Sequence, residues 1–199
     1  MTANGDLTGK RKQQILDAAM VVFARSGFHK ARMDDIVSES GWSKGTLYWY
    51  FKSKDEIISA VIENFFTQEL DRVVESLDTD LSVKEKLLTT TKIIVTDLQR
   101  IRDLMPIAIE YISQGMREKN IENRLKRYFR SYVQALTPVI KEGIEKGEIR
   151  HTNAEDAVIA YAAIIEGTIL LWMYDPETIN LEENMMLNMN YLIEGLESN

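Results

Sequence analysis

Apolar positions recur along this chain at helical spacing from one end to the other. Ile15, Leu16, Ala19, Val22 and Phe23 make one stripe and predict a helix over 13–26, ended by Gly27. Ile36 and Val37 mark a short helix over 33–40. Gly41 follows, a residue that enters the left-handed region at little cost. Ser43 is placed to cap the next helix, 44–50, in which Leu47 faces inward with Phe51 behind it. Ser53-Lys54-Asp55-Glu56 reads as a capping box opening a long helix to Leu77. Further helices are predicted near 83–102, 104–116, 121–146, 154–174 and 181–196. Pro106 lies in a first turn, and Pro138 inside a helix that it is expected to kink. Gly147 closes one helix, and Thr152-x-x-Glu155 is read as the cap of the next. No sustained alternation predicts strands, so the fold class is all-α.

The element that packing does not explain is 44–50. Leu47 satisfies the core, while Lys44, Thr46, Tyr48 and Trp49 are left facing out. A short helix with a cationic and aromatic outer face, preceded by a helix and a tight turn, is a helix-turn-helix whose second helix fits the major groove. Phe23, Gly27, Ile36, Gly41, Ser43-Lys44-Gly45-Thr46-Leu47-Tyr48-x-Tyr50-Phe51 and Lys54 together resemble the amino-terminal domain of TetR-family repressors. The signature spans about the first quarter of the chain. Val37 and Ser40 stand where the family commonly has alanine, and Trp42 where it has valine.

That resemblance implies an amino-terminal three-helix DNA-binding domain, here 1–55, and a helical ligand-binding and dimerisation domain, 56–199. It implies DNA contacts through Arg32, Ser43, Lys44, Gly45, Thr46, Tyr48, Trp49, Tyr50 and Lys54. Tyr48 and Trp49 would meet thymine methyls, Lys44 a guanine edge or a phosphate, and Thr46 and Tyr50 phosphate. Arg32 takes the place of a helix-capping threonine, and Lys54 that of a phosphate-contacting lysine. The last two helices, within 154–197, would pair with a second copy.

Charge refines this picture. The net charge is −7. Residues 1–55 hold nine Lys/Arg against six Asp/Glu, a balance of +3, and the remainder fifteen against twenty-five, a balance of −10. Phosphate binding is local, so a basic head on an acidic body docks head first. Residues 1–9 are read as a polar arm rather than a signal peptide, followed by Lys10-Arg11-Lys12, a phosphate contact or a solvated helix start. No apolar run is long enough to predict a membrane span; 157–173 comes nearest and is interrupted by Glu166 and Gly167. The expected location is the cytoplasm.

The chain has no cysteine and two histidines, His29 and His151, both in loop-like positions. There is no glycine-rich phosphate loop and no helix-spaced metal pair, so neither an enzyme nor a bound cofactor is expected. Aromatic and methionine residues of the middle helices suggest a cavity for a small apolar or cationic effector. Its candidate lining is Phe65, Met105, Tyr111, Tyr132, Tyr161 and Glu166. Glu166 interrupts an apolar helix, where a carboxylate is costly alone. A ligand cation, an arginine and the dimer seam are its three open partners. The leading function is a ligand-responsive transcriptional repressor. The alternative is a helical small-molecule carrier or sensor that does not bind DNA.

Overall fold

A computed structural model describes residues 3–27 and 29–198, with side chains from Leu7 onward. Its helices are α1 (Ala3–Ser26), α2 (Met33–Ser40), α3 (Lys44–Tyr50), α4 (Lys54–Leu77) and α5 (Val83–Arg100). A 3-10 turn (Arg102–Leu104) leads into α6 (Met105–Gly115), then α7 (Lys119–Lys146), α8 (Ala154–Tyr174) and α9 (Leu181–Leu196). Among the described residues the only β pairing is an isolated antiparallel bridge, Ile149 with Glu197. The all-α expectation holds.

Two compact units divide the chain. One comprises Met1–Thr67 and Ile101–Leu125, the other Gln68–Arg100 and Lys126–Asn199. In the first, α1 packs on α2 and on the 3-10 turn, and α2 on α3. Ile15, Ala19, Val22, Phe23, Ile36, Leu47 and Ile57 form its buried centre. Gly27 and Gly41 carry the positive φ that ends α1 and α2, at 71° and 69°. In the second unit, α9 packs on α5 and α8 around Met185, Met189 and Ile193, all fully buried. Gly143 lets α7 approach its neighbours closely. A Cβ there would stand 2.7 Å from Ile149 and 2.8 Å from Val83.

Three local expectations change. The polar arm expected over 1–9 is helical from Ala3, so α1 begins well before Gln13; Met1 and Thr2 lie outside the described residues. This first part of α1 carries no buried stripe, and Leu7 in it is exposed, so periodicity could not reveal it. The cap of α8 is Asn153, not Thr152: its Oδ1 accepts the Glu155 and Asp156 amides at 2.9 and 3.3 Å. Finally, α8 is long and apolar enough to cross a membrane by length and composition, despite Glu166 and Gly167. Here it buries Val158, Tyr161, Ile165 and Trp172 and packs on α9.

Candidate functional site

The turn between α2 and α3 is held by short-range bonds. Ser43 is extended, and its Oγ accepts the Thr46 amide at 3.1 Å and lies 2.9 Å from Thr46 Oγ1. Leu47 is fully buried, which turns the opposite side of α3 outward. That side carries Lys44, Gly45, Tyr48 and Trp49, all exposed; Trp49 is 66% exposed. The Trp49 ring stands edge-on to Tyr50, with centroids 4.6 Å apart. Exposing a large indole has no packing benefit, so this face has the character of a recognition surface.

Several predicted DNA contacts already have protein partners. Lys44 pairs with Asp34 at 2.7 Å, and that carboxylate raises its pKa. Tyr50 donates its hydroxyl to the Thr8 carbonyl at 3.2 Å, tying α3 to the early turns of α1. Lys54 donates to the carbonyls of Ala31 (3.1 Å) and His29 (3.4 Å), bracing the loop before α2. Arg32 is exposed at the start of α2. An arginine cannot accept there; instead Asp35 accepts the Arg32 amide at 2.8 Å. Trp42 is half-buried, with the Arg11 guanidinium 5.2 Å from its ring centroid. The basic triplet thus belongs to α1, and Lys12 sits over Phe51 at 5.9 Å.

The predicted effector residues are divided between the two units. Phe65, Met105 and Tyr111 belong to the first unit. Phe65 is half-buried beside Phe66, and Met105 is buried. Tyr111 is buried and donates to Glu63 at 3.1 Å; Glu63 also pairs with Arg124. Burial first, then the Glu63 charge, pushes the Tyr111 pKa up to about 12. Tyr132, Tyr161 and Glu166 belong to the second unit. Tyr161 is fully buried, its hydroxyl 2.9 Å from Thr91 Oγ1 and donating to the Leu87 carbonyl at 3.1 Å.

Tyr132 and Glu166 do meet, in a small cavity of about 40 Å³ that Glu69, Tyr128, Phe129 and Ala162 also line. Glu69 is only 5% exposed. Its carboxylate accepts the Tyr128 hydroxyl at 2.8 Å and has no ion-pair partner among the described residues. Burial raises its pKa to about 7, with further upward pressure from Asp97 and Glu166 against the lowering effects of Tyr128 and Arg72. Asp97 is equally buried, yet Arg72 Nε donates to it at 2.9 Å and Arg100 lies 3.6 Å away. Glu166 is exposed as a residue, yet its carboxyl lies among the cavity-lining groups, and this local desolvation pushes its pKa upward. Tyr132 is buried, and its hydroxyl is one of two buried side-chain polar atoms without a partner among the described residues, the other being Thr90. A larger groove of about 310 Å³ lies beside Pro138, and in it Lys86 already pairs with Glu142 at 3.2 Å.

Comparison with known proteins places both halves. Residues 15–61 match the model for bacterial regulatory proteins of the tetR family, and residues 83–193 match the BetI-type transcriptional repressor C-terminal model. An uncharacterised HTH-type transcriptional regulator, YfiR of Bacillus subtilis, is 30% identical over 142 residues, covering 71% of this chain and 69% of that protein. The chain belongs to the TetR family. A TetR-family chain of this kind is a ligand-responsive, DNA-binding transcriptional regulator. The fatty acid metabolism regulator protein of Bacillus subtilis is 26% identical over 190 residues, 93% of this chain and 95% of that one. A transcriptional regulator of Saccharomonospora viridis, solved with choline, shares the fold at a TM-score of 0.81. It is 22% identical, over 96% of this chain and all of that chain.

Within this TetR-family fold, the sequence reading passed over Glu69, while Tyr128 was among the middle-helix aromatics expected near a cavity. A signal for Glu69 existed. It lies seven residues after Ile62 and four before Val73, both buried, so the charge sits on the core stripe of α4. A stripe assembled from apolar residues alone steps across it.

Proposed function

We propose that this TetR-family regulator is a homodimeric repressor that a small apolar or cationic effector releases from its operator. Residues 1–55 act as the DNA-binding domain and 56–199 as the effector-binding and dimerisation domain. The observation that carries this reading is the outward face of α3, where Lys44, Tyr48 and Trp49 are exposed on a helix anchored by Leu47. Lys44 reaches a guanine edge or phosphate, Tyr48 and Trp49 reach thymine methyls, and Thr46 and Tyr50 reach phosphate. Ser43 and Gly45 hold the backbone close to DNA, and Arg32 and Lys54 add phosphate contacts. For Lys44, Tyr50 and Lys54, binding means giving up or adjusting the partners they have in the free chain.

A second copy supplies the second recognition helix. Exposed apolar side chains on α8 and α9 support dimerisation there: Ile159, Leu170, Leu171, Tyr174, Leu187 and Tyr191, with Tyr174 73% exposed. Two α3 helices then enter successive major grooves about 34 Å apart. Effector binding acts through α4, which contributes residues to both compact units. A preference for the DNA-free form of about 1–3 kcal/mol suffices for regulation. Choline in one structural relative and fatty acid metabolism in the name of another support a small cation or an apolar molecule as effector. The chain works in the cytoplasm, off the membrane, without a cofactor and without catalysis.

A reporter driven by the region upstream of the chain's own gene tests repression. Deleting the gene is expected to raise reporter output, and a fall would mean activation. Light scattering is expected to give a mass of two chains at micromolar concentration; a one-chain mass would remove the dimer. The carrier reading leaves the α3 face without a role, and specific retention of operator DNA would exclude it.

A further inference from the structure

We infer that the cavity lined by Glu69, Tyr128, Phe129, Tyr132 and Glu166 takes the protonated head of a small aliphatic amine, with the Glu69 carboxylate as its counter-ion. This rests on the effector-responsive reading above and narrows it from "apolar or cationic" to cationic. Four observations converge on it. Among the described residues Glu69 is buried with one hydrogen bond and no ion-pair partner, the nearby Arg72 being committed to the neighbouring buried acid, Asp97, which Arg100 also approaches. A carboxylate in that position lacks a compensating charge, and an incoming cation supplies it. The Tyr132 hydroxyl is buried, faces only the Tyr161 hydroxyl and makes no hydrogen bond of good geometry among the described residues, and Tyr132 lines the same cavity. A neutral hydroxyl offers lone pairs to an ammonium N–H. The rings of Tyr128, Phe129 and Tyr132 line the walls, and aromatic faces attract cations. The lining contains two carboxyl groups and no basic side chain, so an anionic head would be repelled.

Size narrows the class further. Drug-sized ligands occupy roughly 300–1,000 Å³, and a water needs about 10–15 Å³ of comparable space. At about 40 Å³ the cavity suits an ammonium head with a carbon or two. The rest of the molecule then passes the exposed edge of Phe129. A metal ion fits less well, since no group of three or more metal-ligating side chains occurs among the described residues.

The charge balance gives this site a signature. The groups facing Glu69 are Tyr128 and Tyr132 from α7, Tyr161 and Glu166 from α8, Asp97 from α5 and Arg72 from its own helix. Burial pushes all three tyrosines upward, so they stay neutral. Glu69, titrating near pH 7, holds a proton at pH 6 and releases it as the ammonium enters. Ammonium affinity therefore rises about tenfold from pH 6 to pH 8.

Calorimetry on the full chain tests this with n-alkylammonium ions of one to six carbons, against alcohols and carboxylates of equal length. Saturable binding is expected for the ammonium series only, with proton release at pH 6 detected by comparing buffers of different ionisation heat. Glu69→Gln is expected to weaken binding at least tenfold and to abolish the pH dependence. Tyr132→Phe should weaken it several-fold with the pH dependence kept, both variants retaining the helical circular dichroism of the parent. Equal binding of alcohol and ammonium, no ammonium binding at millimolar concentration, or unchanged affinity in Glu69→Gln would each overturn the inference. Operator retention is measured on the same preparation. Specific DNA binding without ammonium binding leaves the repressor reading and removes this one. Ammonium binding without specific DNA binding does the reverse.

Discussion

The α3 helix and the Glu69 cavity use polar groups in opposite ways. Around α3 they are exposed, and the bonds that shape the turn are local: Ser43 to Thr46, and Lys44 to Asp34 of α2, while Tyr50 reaches back to Thr8. Each is solvated, so removing one changes recognition more than stability. In the cavity, Glu69 and Tyr132 are buried and come from helices far apart in the chain. There the cost of desolvation is carried by the folded protein until a ligand offsets it. One region can thus be tuned without touching the fold, whereas the other holds a latent penalty that is the source of its selectivity.

The contrast has measurable limits. The largest expected effect is Leu47→Ala, which empties the position anchoring α3 and should destabilise the first unit by about 2–5 kcal/mol in urea unfolding. Trp49→Ala, two residues on but exposed, should change stability by less than about 0.5 kcal/mol. Equal losses would erase the distinction between anchor and reading face. Next is Glu69→Gln. The folded pKa of about 7 lies above the ordinary 4.5, so the native state keeps a proton that the unfolded chain has lost. The stability associated with Glu69 is fully present below pH 4.5 and is lost as pH rises through about 7. The penalty above that pH is on the order of 3 kcal/mol. Urea midpoints of Glu69→Gln should therefore gain on the parent between pH 4.5 and pH 8; parallel curves would mean the carboxyl is not desolvated.

Smaller effects concern DNA. Tyr48→Ala should relax preference at the base pair it contacts by about 1–3 kcal/mol, seen in competition with single-base operator variants. Lys44→Ala should weaken operator binding and lower the salt slope by about one, alike at all sites if Lys44 meets phosphate and unequally if it meets a guanine edge, while Asp34→Asn, which frees Lys44, should tighten binding modestly. Opposite signs for that pair would show that the surface ion pair positions Lys44 rather than competing with phosphate.

Legibility in the sequence followed the same division. The bounds of α8 and α9 were readable because apolar stripes stand directly beside turn residues. The α2–α3 turn was readable because Gly41 and Ser43 act within a few residues of themselves. The early turns of α1 were not, since they bury no face. Thr152 and Asn153 are both capable caps side by side, and only geometry chose Asn153. Tyr111 and Tyr161 were singled out by residue type, but their bonds to Glu63 and Thr91 join residues 48 and 70 positions apart, which no local pattern displays. Glu69 was hidden for a related reason: a charge on a core stripe reads as a gap in the stripe.

The most direct test of the account is fluorescence anisotropy of the purified protein on labelled DNA from upstream of its own gene, against unrelated DNA, across a salt series. The account expects binding at least about a thousandfold tighter to the upstream DNA, falling steeply as salt rises. Equal, weak affinity for both DNAs, or none at low salt, would contradict it.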